Sequence, residues 1–303
     1  MRKILNKLKN SNQKLLLGFS GGVDSRVLFE LCLRAGVDFG VVHLDHGLRA
    51  DSKLDAEFVE RLCLENQIPC FMLSASVSDF ARVWKTGLED AGRRVRRTIF
   101  RQIAEREGYA WVLLAHQADD QIETILLNLK RGCGTHGLAG MREFFEIFWR
   151  PMLSITRTEI LQFAHKNKLA WREDESNQSH EFLRNQIRHD LLPELAKADS
   201  HFRENLLKLA RKSQKIAERQ VQRARKFLAE KDFSRKKFLE FEMGERGEIL
   251  REFWIKLHGQ VEGFERVRAL EIERLLERNI GRKKIKFGKF WLELQGGILR
   301  IHS

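Results

Sequence analysis

The sequence is poor in the residues that break regular structure and in those that cross-link it. Only three prolines occur in 303 residues, Pro69, Pro151 and Pro193, while charged residues make up 32%. That balance favours a helix-rich chain over an extracellular loop scaffold. The four cysteines, Cys32, Cys63, Cys70 and Cys133, include no pair separated by two residues, so no zinc-ribbon or redox motif is present. They read as reduced thiols behaving as small buried hydrophobes, which places the expected compartment in the cytoplasm. Long apolar runs are also missing. The stretch Leu15 to Phe19 is shorter than the apolar region of a signal peptide and leads into a polar glycine turn. Nothing approaches the roughly 18 apolar residues of a membrane span, so no membrane partner is expected.

Cations are in excess. Lys and Arg total 55 against 42 Asp and Glu, a formal net charge of +13. Such a surplus suits a polyanionic partner, because each neutralised phosphate releases counterions. The surplus is dense in 201–230, where nine Lys/Arg face three Glu. This segment reads as a long basic helix, either a solvated face or an RNA-backbone contact.

In the first half, short apolar runs at 15–20, 39–44, 70–74 and 111–116 alternate with helical patterns near 24–35, 52–67, 87–107 and 118–131. Alternation of this kind predicts a parallel, doubly wound α/β sheet covered on both faces, with ligands at the carboxyl ends of the strands. Length predicts about two domains. The expected division is a catalytic domain over 1–200, a basic helical linker over 201–232 and a small α+β domain over 233–303. In the last, helical patterns near 246–258 and 264–278 precede strands near 285–287, 290–294 and 298–301. Gly296–Gly297 has the composition of a hairpin turn.

The polar motifs fall at the predicted strand ends. The first run enters Ser20-Gly21-Gly22-Val23-Asp24-Ser25 and then a helix. Glycines there expose backbone N–H groups, and the helix N-terminus favours negative charge, so the turn predicts an anion site. It is not a Walker A loop, since the GKS/T ending is missing. The second run ends in His43-Leu44-Asp45-His46-Gly47-Leu48-Arg49, a polar cluster at a strand terminus that fits a metal site or a capping network. The fourth ends in His116, followed by Asp119, Asp120 and Glu123 in the first turns of a helix. Three carboxylates exceed what capping requires and fit Mg²⁺ or an ammonium group.

Ser20–Ser25 resembles the pyrophosphate loop of the N-type ATP pyrophosphatases, which split ATP into AMP and pyrophosphate to adenylate a substrate oxygen. The ordered set SGGVDS, HLDHGLR, AHQADDQIET, RGCG–GLAGM and RPML is similar to the tRNA(Ile)-lysidine synthetase family. A downstream segment carrying Trp171, Asp174, Ser176, Asn177, Arg184, Asn185 and Arg188 matches the same family. The likeness covers about 15–195 strongly and the tail only in pattern.

The resemblance implies ATP-dependent adenylation of the wobble cytidine in isoleucine tRNA with a CAU anticodon, then attack by free lysine. A homodimer stays open. It further implies ATP binding by Ser20, Gly21, Gly22, Val23, Asp24, Ser25, Asp45, His46 and His116. Catalytic roles fall on Asp24, Arg96, Asp120 and Glu123, Mg²⁺ on Asp24 and Asp120, and RNA contact on Arg184 and Arg188. Gly92, Arg97 and His136 depart from the family pattern, which usually has alanine, tyrosine and arginine there. Rival readings are a tRNA thiolase, which typically carries Cys-x-x-Cys, a non-catalytic tRNA-binding protein, and a small-molecule amidotransferase partner.

Overall fold

The computed structural model describes residues 1–47, 52–172, 183–259, 261 and 263–302. Leu48 and Arg49 of the second motif, and Asp174, Ser176 and Asn177 of the downstream one, lie outside the described residues.

Helix α1 (Arg2–Lys9) precedes β1 (Leu15–Gly18), α2 (Val23–Ala35), β2 (Phe39–Asp45), α3 (Ser52–Glu65) and β3 (Cys70–Ser74). Then come α4 (Val77–Trp84), α5 (Leu88–Glu107), β4 (Trp111–Leu113), α6 (Ala118–Lys130) and α7 (Thr135–Leu138). A two-stranded ribbon, β5 (Phe144–Phe145) and β6 (Phe148–Trp149), leads to α8 (Arg157–Lys166). The strands form one sheet in the order β3-β2-β1-β4-β6-β5. All neighbours are parallel except β5, which turns back against β6. The architecture is therefore the doubly wound α/β fold expected from the sequence, with a short antiparallel edge added.

Successive residues of each strand point to opposite faces, and here each face has its own core. Leu15, Leu17, Phe19, Val41 and Leu113 pack with Ile4, Leu8, Phe29, Phe58 and Ile160. Leu16, Val42, Leu44, Val112 and Leu114 pack instead with Val95, Phe100, Ile103 and Ala104 of α5. Double coverage is why these strands read as unbroken apolar runs. The chain steps outward from β1 to β2 and β3, then returns to β4 on the other side of β1. That reversal opens a crevice at the carboxyl ends of β1 and β4.

Downstream, α9 (Leu183–Gln186) runs through a π-helical turn (Ile187–Leu191) into α10 (Leu192–Ala198), followed by the long α11 (Phe202–Leu228). Helices α12 (Arg235–Leu239), α13 (Met243–His258) and α14 (Arg266–Glu277) precede a meander of β7 (Lys284–Phe287), β8 (Phe290–Gln295) and β9 (Ile298–His302). Gly296 and Gly297, at φ +56° and +78°, form the β8–β9 turn. A separate core of Phe227, Phe238, Phe253, Ile272 and Phe287 holds this part together.

The chain divides into two compact units. One comprises Met1–Leu127 with Gly140–Leu207, and the other Asn128–Ala139 with Lys208–Ser303. No helix among the described residues is long and apolar enough to cross a membrane.

Candidate active site at the carboxyl edge of the parallel sheet

The turn after β1 is built for an anion. Gly21 sits at φ +86°, a region that disfavours side chains, and Gly22 is the N-cap of α2 without a side-chain acceptor. The first N–H groups of α2 therefore point out of the turn with the positive end of the helix dipole behind them. Ser25 Oγ donates to Gly22 O at 2.9 Å and lies 3.2 Å from Ser20 Oγ, so the two hydroxyls brace the loop. Arg172, not anticipated from sequence, donates its N–H to Gly21 O at 3.0 Å and pairs through Nε with Asp55 at 3.0 Å.

Across the crevice, α6 begins with Gln117 and the acidic turn. Gln117 Oε1 accepts from Asp119 N, and Asp120 Oδ2 accepts from Gln117 N, at 2.8 and 2.9 Å. Capping thus occupies one oxygen of Asp120 and leaves Asp119 and Glu123 for other work. Each acid has an arginine partner. Asp24 is held by Arg157 through both oxygens at 2.8 Å, and Asp119 by Arg203 at 2.6 Å. Glu123 is fully buried and is held by Arg188 Nε at 2.6 Å and Arg184 Nε at 3.2 Å. Arg188 also reaches Asp120 Oδ1 at 3.2 Å. Arg184 and Arg188, expected as RNA contacts, are therefore engaged on the acidic turn. Arg157 and Arg203 had no sequence signal, because ion pairing across such separations is set by the fold.

Burial raises the carboxyl of Asp24 above its ordinary range, with Asp120 adding and Arg157 and Arg188 opposing. Burial raises Glu123 likewise, against the bond from Arg188. Burial works against the charge of Arg188, yet Glu123, Asp120 and Asp24 hold its pKa above the usual value.

At the ends of β2 and β4 stand the remaining predicted groups. Asp45 Oδ1 accepts from Gly47 N at 2.8 Å, closing a tight turn. His43 is buried and its Nδ1 lies 2.9 Å from Phe19 O, directly below the phosphate turn. His46 lies beside α5: a methyl added at Gly92 would meet His46 Nδ1 at 3.8 Å and Val77 at 3.6 Å. Alanine would fit there, so steric need does not explain the glycine. His116 is half-buried, and its pKa is driven well below 6.5 by burial and by Arg96, Arg150, Arg184 and Arg93. Arg97, where tyrosine is usual, lies over the rings of Phe145 and Phe148 at 5.2 and 5.4 Å and pairs with Glu146 at 3.2 Å. It keeps a planar contact and adds charge. His136, in the other unit, pairs with Glu248 at 2.6 Å.

Asp24 and Asp120 are near enough to feel each other's charge, and both are oxygen donors. No group of three or more His, Cys, Asp or Glu among the described residues is placed to hold a metal. Two carboxylates fit Mg²⁺ that shares its shell with phosphate oxygens and water, rather than a cation caged by protein alone.

Residues 1–195 match the PP-loop domain family. The chain is 33% identical over 209 residues to the tRNA(Ile)-lysidine synthase of Petrotoga mobilis, covering 68% of this chain and 67% of that one. It is 39% identical over 191 residues to the tRNA(Ile)-lysidine synthase of Treponema pallidum, covering 60% and 40%. A third relative of that name, from Solibacter usitatus, is 38% identical over 189 residues, covering 61% and 42%. The matched part is thus about two thirds of the first relative's length and about two fifths of the other two. Among solved structures, the fold resembles that of the U34-tRNA thiolase NcsA from Methanococcus maripaludis with its [4Fe-4S] cluster. That likeness has a TM-score of 0.58 at 16% identity and covers 71% of this chain and 79% of that one.

Proposed function

The chain belongs to the PP-loop domain family and, within it, to the tRNA(Ile)-lysidine synthases, and from that premise we propose that it ligates free lysine to the wobble cytidine of isoleucine tRNA with a CAU anticodon. The observation that carries this reading is the pairing of an uncapped phosphate turn on β1 with a buried acidic turn on α6, at the reversal of strand order.

In the first step the cytosine C2 oxygen attacks the α-phosphorus of ATP, and pyrophosphate leaves. In the second, the lysine ε-nitrogen attacks C2, and AMP departs with that oxygen. Ser20–Ser25 hold the ATP phosphates, and Asp45, His46 and His116 line the nucleotide pocket. Arg96 faces the adenylate. Asp24 and Asp120 would hold Mg²⁺, which would offset phosphate charge. Lysine's ammonium takes the place of a guanidinium at Glu123 and Asp120. An amine of pKa about 10.4 must shed a proton before attack. Glu123, whose carboxyl is raised by burial, is a stronger base for it than a solvated carboxylate. Residues 1–200 serve as the catalytic domain, and the basic helix with the 233–303 tail serves RNA binding.

The test is incorporation of radiolabelled lysine into unmodified CAU isoleucine tRNA with ATP and Mg²⁺. Label that requires ATP and the wobble cytidine is the expected outcome. Pyrophosphate release on adding tRNA without label would keep adenylation and reassign the second substrate, with sulfur the first to try.

A further inference from the structure

Around His116 the charges that act are those of four arginines. The charges that bear on Asp24 are Arg157, Asp120 and Arg188. Those that bear on His116 are Arg96, Arg150, Arg184 and Arg93. Asp120 is felt by both Asp24 and Arg96 and is the charge the two groups share.

These cations disfavour one another. Arg96 is lowered to about 10 by burial and then by Arg93 and Arg184. Arg150 is lowered to about 10 by burial and then by Arg97, Arg93 and Arg96. Glu89 is bonded to Arg93 and Arg184, Glu146 to Arg97 and Arg101, and Glu123 is paired with Arg184, while Asp120 acts on Arg96 through its charge alone. No carboxylate pairs with Arg96 or Arg150 among the described residues. Arg150 is 9% exposed; its Nη1 donates to Arg142 O at 3.1 Å, and its buried Nε has no partner. His116 Nδ1 is likewise buried without one. Buried donors are rarely left unpaired in the working state of a protein. Mutually repelling cations with an open donor describe a site for an oxyanion.

We propose that Arg93 and Arg150, with Arg96 as the inner wall, form a second anion site that grips a backbone phosphate of the RNA beside the base being modified. This inference rests on the RNA-modifying reading above. The phosphates of ATP already have the turn on β1. The carboxylate of lysine is the other available oxyanion, but a single group of one charge does not call for this many cations, whereas a phosphodiester chain does. Arg97 and Arg101 continue the stripe along α5 toward solvent, giving neighbouring phosphates a path.

The test is binding of unmodified CAU tRNA over a range of KCl concentrations, for the unsubstituted protein and for R93Q, R150Q and R150K. Each lost phosphate contact flattens the plot of log affinity against log salt by about 0.7 to 0.9. The glutamine variants are expected to show that flattening with weaker binding, and R150K to keep the original slope. R93Q lies on a half-exposed helix face, so it decides the matter if R150Q fails to fold. Unchanged slopes in both glutamine variants overturn the proposal. A rise in the KM for lysine but not for cadaverine, which lacks the carboxylate, also overturns it and gives the site to the amino acid. A loss confined to ATP affinity gives it to the nucleotide. Failure of the unsubstituted protein to bind RNA at all removes the parent reading, a result distinct from failure of the variants alone.

Discussion

Single side chains at the crevice are held in states that favour chemistry over stability. Asp24 has a raised carboxyl in the folded chain, so the unfolded chain binds fewer protons between the two pKa values. Its charge therefore opposes folding at neutral pH. Asp24→Asn is expected to reduce lysine incorporation at least about 100-fold while the melting temperature stays level or rises. A large drop in melting temperature would show instead that the Arg157 pair holds the loop together. His116 has the opposite linkage. Its folded pKa lies below the unfolded 6.5, so the unfolded state takes up a proton that the native state refuses. Stability should then fall as pH drops below 6.5, and His116→Gln should flatten that part of a urea-midpoint series. An unchanged series would mean that His116 does not titrate differently in the two states.

At the scale of elements, what was legible was what is local. The phosphate turn and the acidic start of α6 are each contiguous in sequence, and four of the five parallel strands announce themselves by apolar runs. Gly21 illustrates how much a single turn fixes. At φ +86° an alanine costs about 1 to 2 kcal/mol of backbone strain. Gly21→Ala should raise the KM for ATP more than it lowers stability, a split readable from kinetics beside urea melts. What escaped reading was either short or long-range. Strands β5 and β6 have two residues each, too few for any period to appear. The arginines that meet the acids, Arg157, Arg172 and Arg203, come from segments whose approach only the fold determines. The π-helical turn that carries Arg188 has no counterpart in apolar periodicity.

For the whole molecule, net charge misleads unless its internal partners are counted. Helix α11 carries most of the basic run, yet Arg203 is paired with Asp119, Arg223 with Glu245 at 2.6 Å and Arg225 with Glu252 at 2.7 Å. Glu245, Glu248 and Glu252 are buried along one side of α13, and nothing in a count of charges marks them as interior. The proposed RNA contact would draw on the other lysines and arginines of α11. Separate cores also imply separate melting. Phe238 is fully buried among Phe227, Phe233 and Phe253, so Phe238→Ala should cost about 3 to 5 kcal/mol. Calorimetry is expected to show one of two transitions moving and the other standing still. A concerted shift of a single transition would refute independent stability of the units.

The pairing of His136 with Glu248, and of Ala139 O with Gln214 at 2.9 Å, has a consequence in time. A ribosome releases residues 128–139 well before α11 and α13 exist, so this stretch must wait through the making of everything between. Nascent chains stalled within α11 should be cut there by protease, and chains extended past α13 should not. The closing of residues 128–139 thus waits on the synthesis of α13, and a chain interrupted before it carries its glycine-rich loop without Glu248 to receive it.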